Sequence, residues 1–76
     1  MAIKKATYLE FVRRTKELTQ QDLAKRVNVH PSAIAQIEGR HRRSWSRIRR
    51  ALTDVLGVKE EKLFDKEGFA KTLRRR

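Results

Sequence analysis

Apolar residues recur every three or four positions along most of this chain, which is the spacing of a helix with one buried face. The first such segment predicts a helix over residues 7–17. Its inner stripe contains Leu9 and Val12, with Tyr8, Phe11 and Thr15 as further candidates. Residues 1–5, which precede this helix, form a short basic stretch, and we expect a loose arm there.

Two short helices follow, each with residues suited to its ends. Thr19 is placed to cap the second helix, because its hydroxyl can accept a hydrogen bond from an amide of the next turn. Asn28 ends this helix, since asparagine tolerates a left-handed backbone in a tight turn. A third helix begins at Pro31, where the missing amide hydrogen would have no partner. It ends at Glu38, with Gly39 as its C-terminal cap.

A fourth helix is predicted to reach about Leu56, where Gly57 ends it. Ser44 is placed to cap its N-terminus. Trp45 begins its apolar stripe, so we expect this ring to pack in the core rather than to stack on a base. A last short helix is expected over residues 60–64.

The length and composition limit the fold and the class of protein. Seventy-six residues allow one domain, residues 1–76, and only one proline and three glycines interrupt it. We therefore expect a compact all-α domain of five helices. Cysteine is absent and the only histidines are His30 and His41, so we expect no disulfide, metal or cofactor. No grouping of nucleophile, acid and base indicates an enzyme.

No apolar run approaches the roughly 20 residues that span a bilayer, and the N-terminus lacks the apolar stretch of a signal peptide. We expect a cytoplasmic protein without a membrane partner.

The charge is strongly positive and unevenly distributed. Twenty Lys and Arg against nine Asp and Glu give a net charge of +11. No acid occurs between residues 39 and 53, where six arginines lie: Arg40, Arg42, Arg43, Arg47, Arg49 and Arg50. Five of the nine acids lie in residues 54–67. Such a concentration indicates a nucleic-acid footprint, with a solvated basic face as the alternative.

Residues 18–39 have the order that a helix-turn-helix requires. Two short helices that cross steeply need a small residue at the contact, a sharp turn, and apolar residues that pack between them. Ala24 is the small residue and Asn28 lies in the turn. The apolar residues are Leu23, Val27, Val29, Ile34 and Ile37. This pattern predicts a helix-turn-helix over residues 19–39.

The same residues resemble the lambda-repressor-like, or XRE-type, helix-turn-helix family over residues 9–64. The resemblance is carried by Thr19-Gln20, Asp22-Leu23-Ala24, Val27, Ile34, Gln36-Ile37-Glu38-Gly39, Leu56-Gly57-Val58 and Leu63-Phe64. Asn28 stands where the family's turn has glycine. The resemblance implies a transcriptional regulator, most often a repressor, that binds a near-palindromic double-stranded DNA operator as a homodimer.

The resemblance also implies which side chains read bases. They are Ser32, Ala33 and Gln36, which we expect on the exposed face of the third helix, opposite Ile34 and Ile37. A glutamine amide can pair with an adenine edge, a serine hydroxyl can donate or accept, and an alanine methyl can contact a thymine methyl.

Phosphate contacts are expected beside the reading helix. By the resemblance, Gln20 contacts phosphate from the start of the second helix, and Arg13 pairs with Glu38. His30 lies at the cap of the third helix, where it bonds either a phosphate or the backbone. The basic loop that leads into the fourth helix is well placed to bind a phosphate strand. Its candidate residues are Arg40, Arg42, Arg43 and Ser44.

The basic C-terminal tail, residues 66–76, leaves alternatives open. Its apolar residues Phe69 and Leu73 either complete the core or form half of a two-fold interface. In a protein-interaction module, such as an antitoxin, the tail would instead bind a protein partner. The terminal Arg74-Arg75-Arg76 is expected to be a frayed charged end. RNA binding is disfavoured, because the pattern predicts no exposed aromatic platform.

Overall fold

The computed structural model describes residues 6–73. This part of the chain contains five helices: α1 Tyr8–Thr15, α2 Gln20–Val27, α3 Pro31–Glu38, α4 Ser46–Leu56 and α5 Glu60–Leu63. Between residues 6 and 73 there is no β-strand, only two isolated β-bridges. The prediction of an all-α fold with five helices is confirmed. The expectations for residues 1–5 and for Arg74-Arg75-Arg76 lie outside the described residues.

Local hydrogen bonds set the ends of α2 as the sequence predicts. The Thr19 hydroxyl accepts from the Asp22 backbone N–H at 3.0 Å, and the Asp22 carboxylate accepts from the Thr19 N–H at 3.0 Å. This bond from the Thr19 backbone lowers the pKa of Asp22. Asn28 ends the helix with a φ of 61°, and its N–H donates to the Ala24 carbonyl. Both predicted ends of α2 are therefore confirmed.

The end of α3 differs in one detail from the prediction. Gly39 caps the helix, but its φ of −85° is one that any residue can adopt. The left-handed conformation falls instead on Arg40, with a φ of 62°. This turn directs the chain after α3 into the basic loop, residues 40–43.

The core forms where all five helices meet. Its fully buried large side chains are Leu9, Leu23, Ile34, Ile37, Ile48, Leu52, Leu56 and Leu63. Two candidates for the inner stripe of α1 are wrong, because Phe11 is 50% exposed and Thr15 is exposed as well. Phe11 stacks on Tyr8 at the surface, with ring centroids 6.0 Å apart.

The start of α4 also differs from the prediction. Its N-cap is Trp45 rather than Ser44, and no side chain caps it. Trp45 is 37% exposed, so the expectation of a core tryptophan is wrong. The Ser44 side chain is buried and donates from Oγ to the Gly68 carbonyl at 2.5 Å. Ser44 therefore does not cap α4, because its hydroxyl is hydrogen-bonded to the distant Gly68 carbonyl.

Residues 65–73, hereafter the C-terminal segment, return to pack on the helices. The Tyr8 N–H donates to the Lys71 carbonyl and the Leu73 N–H to the Ala6 carbonyl, each at 2.9 Å. Ala70 is completely buried. The tail is therefore part of the fold as far as Leu73. Of its two apolar residues, Phe69 is partly buried and Leu73 is exposed.

Asp65 holds the turn that begins the C-terminal segment. Its Oδ1 accepts from the Glu67 N–H at 2.9 Å and from the Phe69 N–H at 3.0 Å. The partial loss of water around Asp65, the largest single influence, raises its pKa. The hydrogen bonds and a nearby arginine outweigh this effect, so the pKa of Asp65 lies below its ordinary value of 3.8.

Acidification is expected to remove the stabilising effect of this charge. Because the pKa of Asp65 is lower in the folded state, the ionised carboxylate stabilises the fold above pH 3.8. The contribution disappears as the pH falls through the folded-state value. The measurement is Tm against pH for the wild type and for Asp65→Asn, which keeps the acceptor oxygen without the charge. The Tm difference should shrink on acidification, and a difference independent of pH would contradict the prediction.

Candidate nucleic-acid interface

A buried carboxylate, Glu38, joins three helices. Arg13 of α1 donates from Nε to Glu38 Oε2 at 2.5 Å and from Nη2 to Oε1 at 3.2 Å. Gln20, the first residue of α2, donates from Nε2 to Glu38 Oε1 at 3.0 Å. Only 7% of Arg13 and 4% of Glu38 are exposed. The ion pair implied by the resemblance is thus present, and it sets the start of α2 against the end of α3.

Helix α3 has one buried face and one exposed face. Ile34 and Ile37 are fully buried, whereas Ser32 and Gln36 are exposed. Ser32 and Gln36 are four residues apart, so their side chains lie one above the other. Within residues 6–73, the side-chain amide of Gln36 forms no hydrogen bond with another group. This face of α3 is free to contact a ligand.

The expectation that Ala33 lies on the exposed face is wrong. Ala33 is only 6% exposed. It precedes Ile37 by four residues, and residues four apart share a face of a helix. Ala33 therefore belongs to the buried stripe with Ile37, and its methyl is not available to a base.

His30 caps the N-terminus of α3 with its ring. Its Nδ1 accepts from the Ser32 backbone N–H at 3.1 Å and lies 2.9 Å from Ser32 Oγ. A nitrogen that accepts a backbone hydrogen bond carries no proton, so we assign the proton of the neutral ring to Nε2. His30 is exposed, which leaves the Nε2–H available as a donor beside Ser32.

In the basic loop, Arg40 contacts the C-terminal segment. Its Nη1 donates to the Ala70 carbonyl at 2.6 Å and lies 3.6 Å from the Asp65 carboxylate. Its guanidinium also lies over the Phe69 ring, 5.5 Å from the centroid. Arg40 and the buried Ser44 are therefore engaged within the fold. The buried, bonded hydroxyl of Ser44 is not available to phosphate, which corrects that expectation. Arg40 remains exposed, so its phosphate contact stays a prediction.

The two other loop arginines lie on aromatic rings. The guanidinium of Arg42 is 5.0 Å from the centroid of Trp45, and that of Arg43 is 5.8 Å from the centroid of Phe69. Both arginines are exposed. A guanidinium that lies over a ring keeps its N–H groups free for other acceptors. The loop thus presents two arginines whose orientation is already restricted.

Comparison with known proteins agrees with this geometry. A family model described as a helix-turn-helix domain matches residues 6–63, about three quarters of the chain. The chain belongs to the helix-turn-helix domain family. The match spans all five helices and ends just before the C-terminal segment. Searches of curated proteins and of solved structures gave no match.

Membership of this family supports DNA binding by α2 and α3. In a helix-turn-helix the second helix of the pair lies in the major groove, and the first crosses the backbone. In this chain the first helix of the pair is α2, which begins at Gln20, and the second is α3, which exposes Ser32 and Gln36. No helix within residues 6–73 has the length and apolar character to cross a membrane.

The support of the loop by two aromatic rings is not evident from the sequence. The helical spacing of Trp45 predicts a core position, and the sequence leaves Phe69 open between the core and an interface. A signal was present for Trp45, which lies three residues after Arg42 in an arginine-rich loop. No comparable signal existed for Phe69, since its contact with the loop depends on the path of the C-terminal segment.

Proposed function

We propose that this helix-turn-helix domain is a sequence-specific transcriptional regulator, namely a repressor that occupies its operator. It reads the major groove of double-stranded DNA with α3. The observation that carries the proposal is the division of this helix into a buried face and an exposed face that bears Ser32 and Gln36. We further propose that it acts in the cytoplasm, bound to the nucleoid.

Base reading is assigned to the exposed face of α3. The side-chain amide of Gln36 can donate to N7 of adenine and accept from its N6 amino group. The Ser32 hydroxyl can donate or accept and is oriented by its contact with the His30 ring. Ala33 is not included, because its methyl is buried.

Phosphate binding is assigned to groups on both sides of this helix. Gln20 uses one amide hydrogen on Glu38, so its second amide hydrogen and its backbone N–H at the start of α2 remain for phosphate. The His30 Nε2–H lies beside the start of α3. The proposed phosphate contacts are Gln20, His30, Arg42 and Arg43.

We further propose that two copies bind one operator. A single reading helix contacts only a few base pairs, and a two-fold dimer reads two half-sites about 10 base pairs apart. The direct test is selection of bound duplexes from a random pool. Two inverted half-sites at that spacing support a homodimer, and a single half-site contradicts it.

The proposal does not extend to a protein partner held by the tail, because the C-terminal segment packs on the fold. RNA needs a direct test, since Phe11 and Trp45 are exposed although no exposed aromatic ring was predicted. Single-stranded RNA therefore belongs among the competitors. If it displaces the operator at equal concentration, the proposed specificity for duplex DNA is wrong.

Substitution of Gln36 by alanine is expected to reduce sequence preference. Loss of one bidentate base contact lowers discrimination by about 1–3 kcal/mol, roughly 5- to 150-fold. The measurement is the ratio of affinities for the selected operator and for a duplex changed at the contacted base pair. The salt dependence of binding should not change, because no charge is removed.

Arg42→Ala is the matched comparison for Gln36→Ala. It should weaken binding to all duplexes alike and reduce the slope of log affinity against log salt by about 0.9. Lys62→Ala removes the same charge from α5 and should leave the slope nearly unchanged. If Gln36→Ala and Arg42→Ala have the same effect on every duplex, the protein is only a general DNA-coating domain.

A further inference from the structure

The C-terminal segment is in close contact with the basic loop. The Gly68 carbonyl accepts from both the N–H and the Oγ of Ser44, at 2.9 and 2.5 Å. A Cβ at Gly68 would lie 2.9 Å from Cγ of Arg43 and 3.1 Å from the Ser44 carbonyl oxygen. The stem of Arg43 therefore packs on Gly68, and its guanidinium extends over Phe69.

The Phe69 ring is itself held in a defined place. The Phe69 N–H donates to the Asp65 carboxylate at 3.0 Å, and the Asp65 N–H donates to the Phe69 carbonyl at 2.9 Å. Arg40 lies over the same ring and is tied to the Ala70 carbonyl. These bonds make Phe69 a fixed support rather than a mobile surface side chain.

We propose that Phe69 is a positioning residue for DNA binding, because it holds Arg43 in the orientation that contacts phosphate. Phe69 does not contact DNA itself. This inference rests on the proposed function, in which Arg43 is a phosphate contact. By this inference the C-terminal segment contributes to DNA affinity, although it lies beyond the residues matched by the family model.

The two arginines over the Phe69 ring differ in whether their guanidinium groups are engaged by other protein groups. Arg40 donates to a carbonyl and lies near a carboxylate, so it fastens the C-terminal segment to the loop. Arg43 forms no ion pair with any residue between 6 and 73, and its charge remains available to DNA. An arginine on a free loop loses rotamer freedom when it binds phosphate. Packing on Phe69 removes part of that loss in advance and so strengthens binding.

The test is a double-mutant cycle of Phe69→Leu and Arg43→Ala, with affinity for the selected operator as the measurement. Leucine keeps an apolar side chain but has no π face. We expect Phe69→Leu alone to weaken binding several-fold, with about tenfold as the upper limit for the restored freedom of one side chain. In the Arg43→Ala background, the same change should have less than about a twofold effect. Phe69→Tyr keeps the ring and should bind like the wild type.

Two further variants separate positioning from general loss of structure. Phe11→Leu makes the same change at an exposed ring that stacks on Tyr8, and it should leave affinity unchanged. Arg43→Lys alters only an exposed side chain, so the fold is retained. Lysine keeps the charge but lacks the planar group that lies flat on a ring. This variant should bind several-fold more weakly than the wild type, and Phe69→Leu should add little to it.

Each possible result bears on the proposal. If the wild type does not bind duplex DNA, the proposed function and this inference fail together. If the wild type binds, but Phe69→Leu has the same effect with and without the Arg43 side chain, the ring is only structural. In that case the positioning role is overturned and the proposed function stands. Wild-type affinity in Arg43→Lys, or in Phe69→Leu, overturns it as well.

Discussion

Glu38→Ala is expected to lower the free energy of unfolding by about 3–5 kcal/mol, because it leaves a buried charge without its partner. The guanidinium of Arg13 would lose both bonds to the carboxylate while remaining inside the protein. The Gln20 amide would lose its acceptor as well. A small domain is stable by only about 5–15 kcal/mol, so this loss is a large fraction of the total. Urea unfolding followed by circular dichroism measures it.

Two controls identify the mechanism behind this loss. Joint replacement by Arg13→Met and Glu38→Leu removes both charges and should destabilise far less than Glu38→Ala alone. Glu10→Ala breaks the more exposed pair with Arg14, which spans one turn of α1, and should lose only about 0.5 kcal/mol. If Glu38→Ala and Glu10→Ala lower the free energy of unfolding equally, burial of the pair does not explain the loss.

Gly68→Ala is expected to lower the free energy of unfolding by about 2–4 kcal/mol. One part is the backbone, since a φ of +92° is unfavourable for a residue with a Cβ, at about 1–3 kcal/mol. The other part is steric, because the new Cβ would lie 2.9 Å from Arg43 Cγ and 3.1 Å from the Ser44 carbonyl oxygen. The flexible arginine stem can move, but the backbone oxygen cannot. Thermal or urea unfolding gives the magnitude.

Gly57→Ala is the matched control for the steric part. Gly57 also has a positive φ, +70°, but no atom lies within 4 Å of its added Cβ. It should therefore lose only the backbone contribution, about 1–2 kcal/mol. Gly68→Ala should also weaken DNA binding, since it displaces the C-terminal segment from the loop, whereas Gly57→Ala should not. Identical effects of the two variants on stability and binding would contradict the close packing at Gly68.

The helices and their turns were predictable because nearby residues decide them. Thr19 and Asp22 satisfy each other's backbone groups across three residues, and Asn28 adopts a left-handed backbone within the turn itself. The four-residue spacing of Ala33 from the buried Ile37 already indicates in the sequence that Ala33 is buried. The buried pair of Arg13 and Glu38 followed only from the family resemblance.

The start of α4 was not predictable from its own segment. Ser44 has the chemistry of a helix cap, but its hydroxyl bonds a carbonyl 24 residues away. Trp45 has helical spacing, which cannot distinguish a core ring from one covered by an arginine at the surface. Both outcomes depend on groups that come close only after the chain has folded.

Five helices, the sharp turn at Asn28 and a strongly basic loop can all be predicted from the sequence, since they depend on neighbouring residues and on composition. The contacts of each loop arginine follow only from the folded arrangement of the chain. Arg40, Arg42 and Arg43 have the same chemistry and differ in what lies beside them, which is a carbonyl and a carboxylate, the Trp45 ring or the Phe69 ring. Two of those three surroundings come from the C-terminal segment, and its path is set by packing against distant parts of the chain.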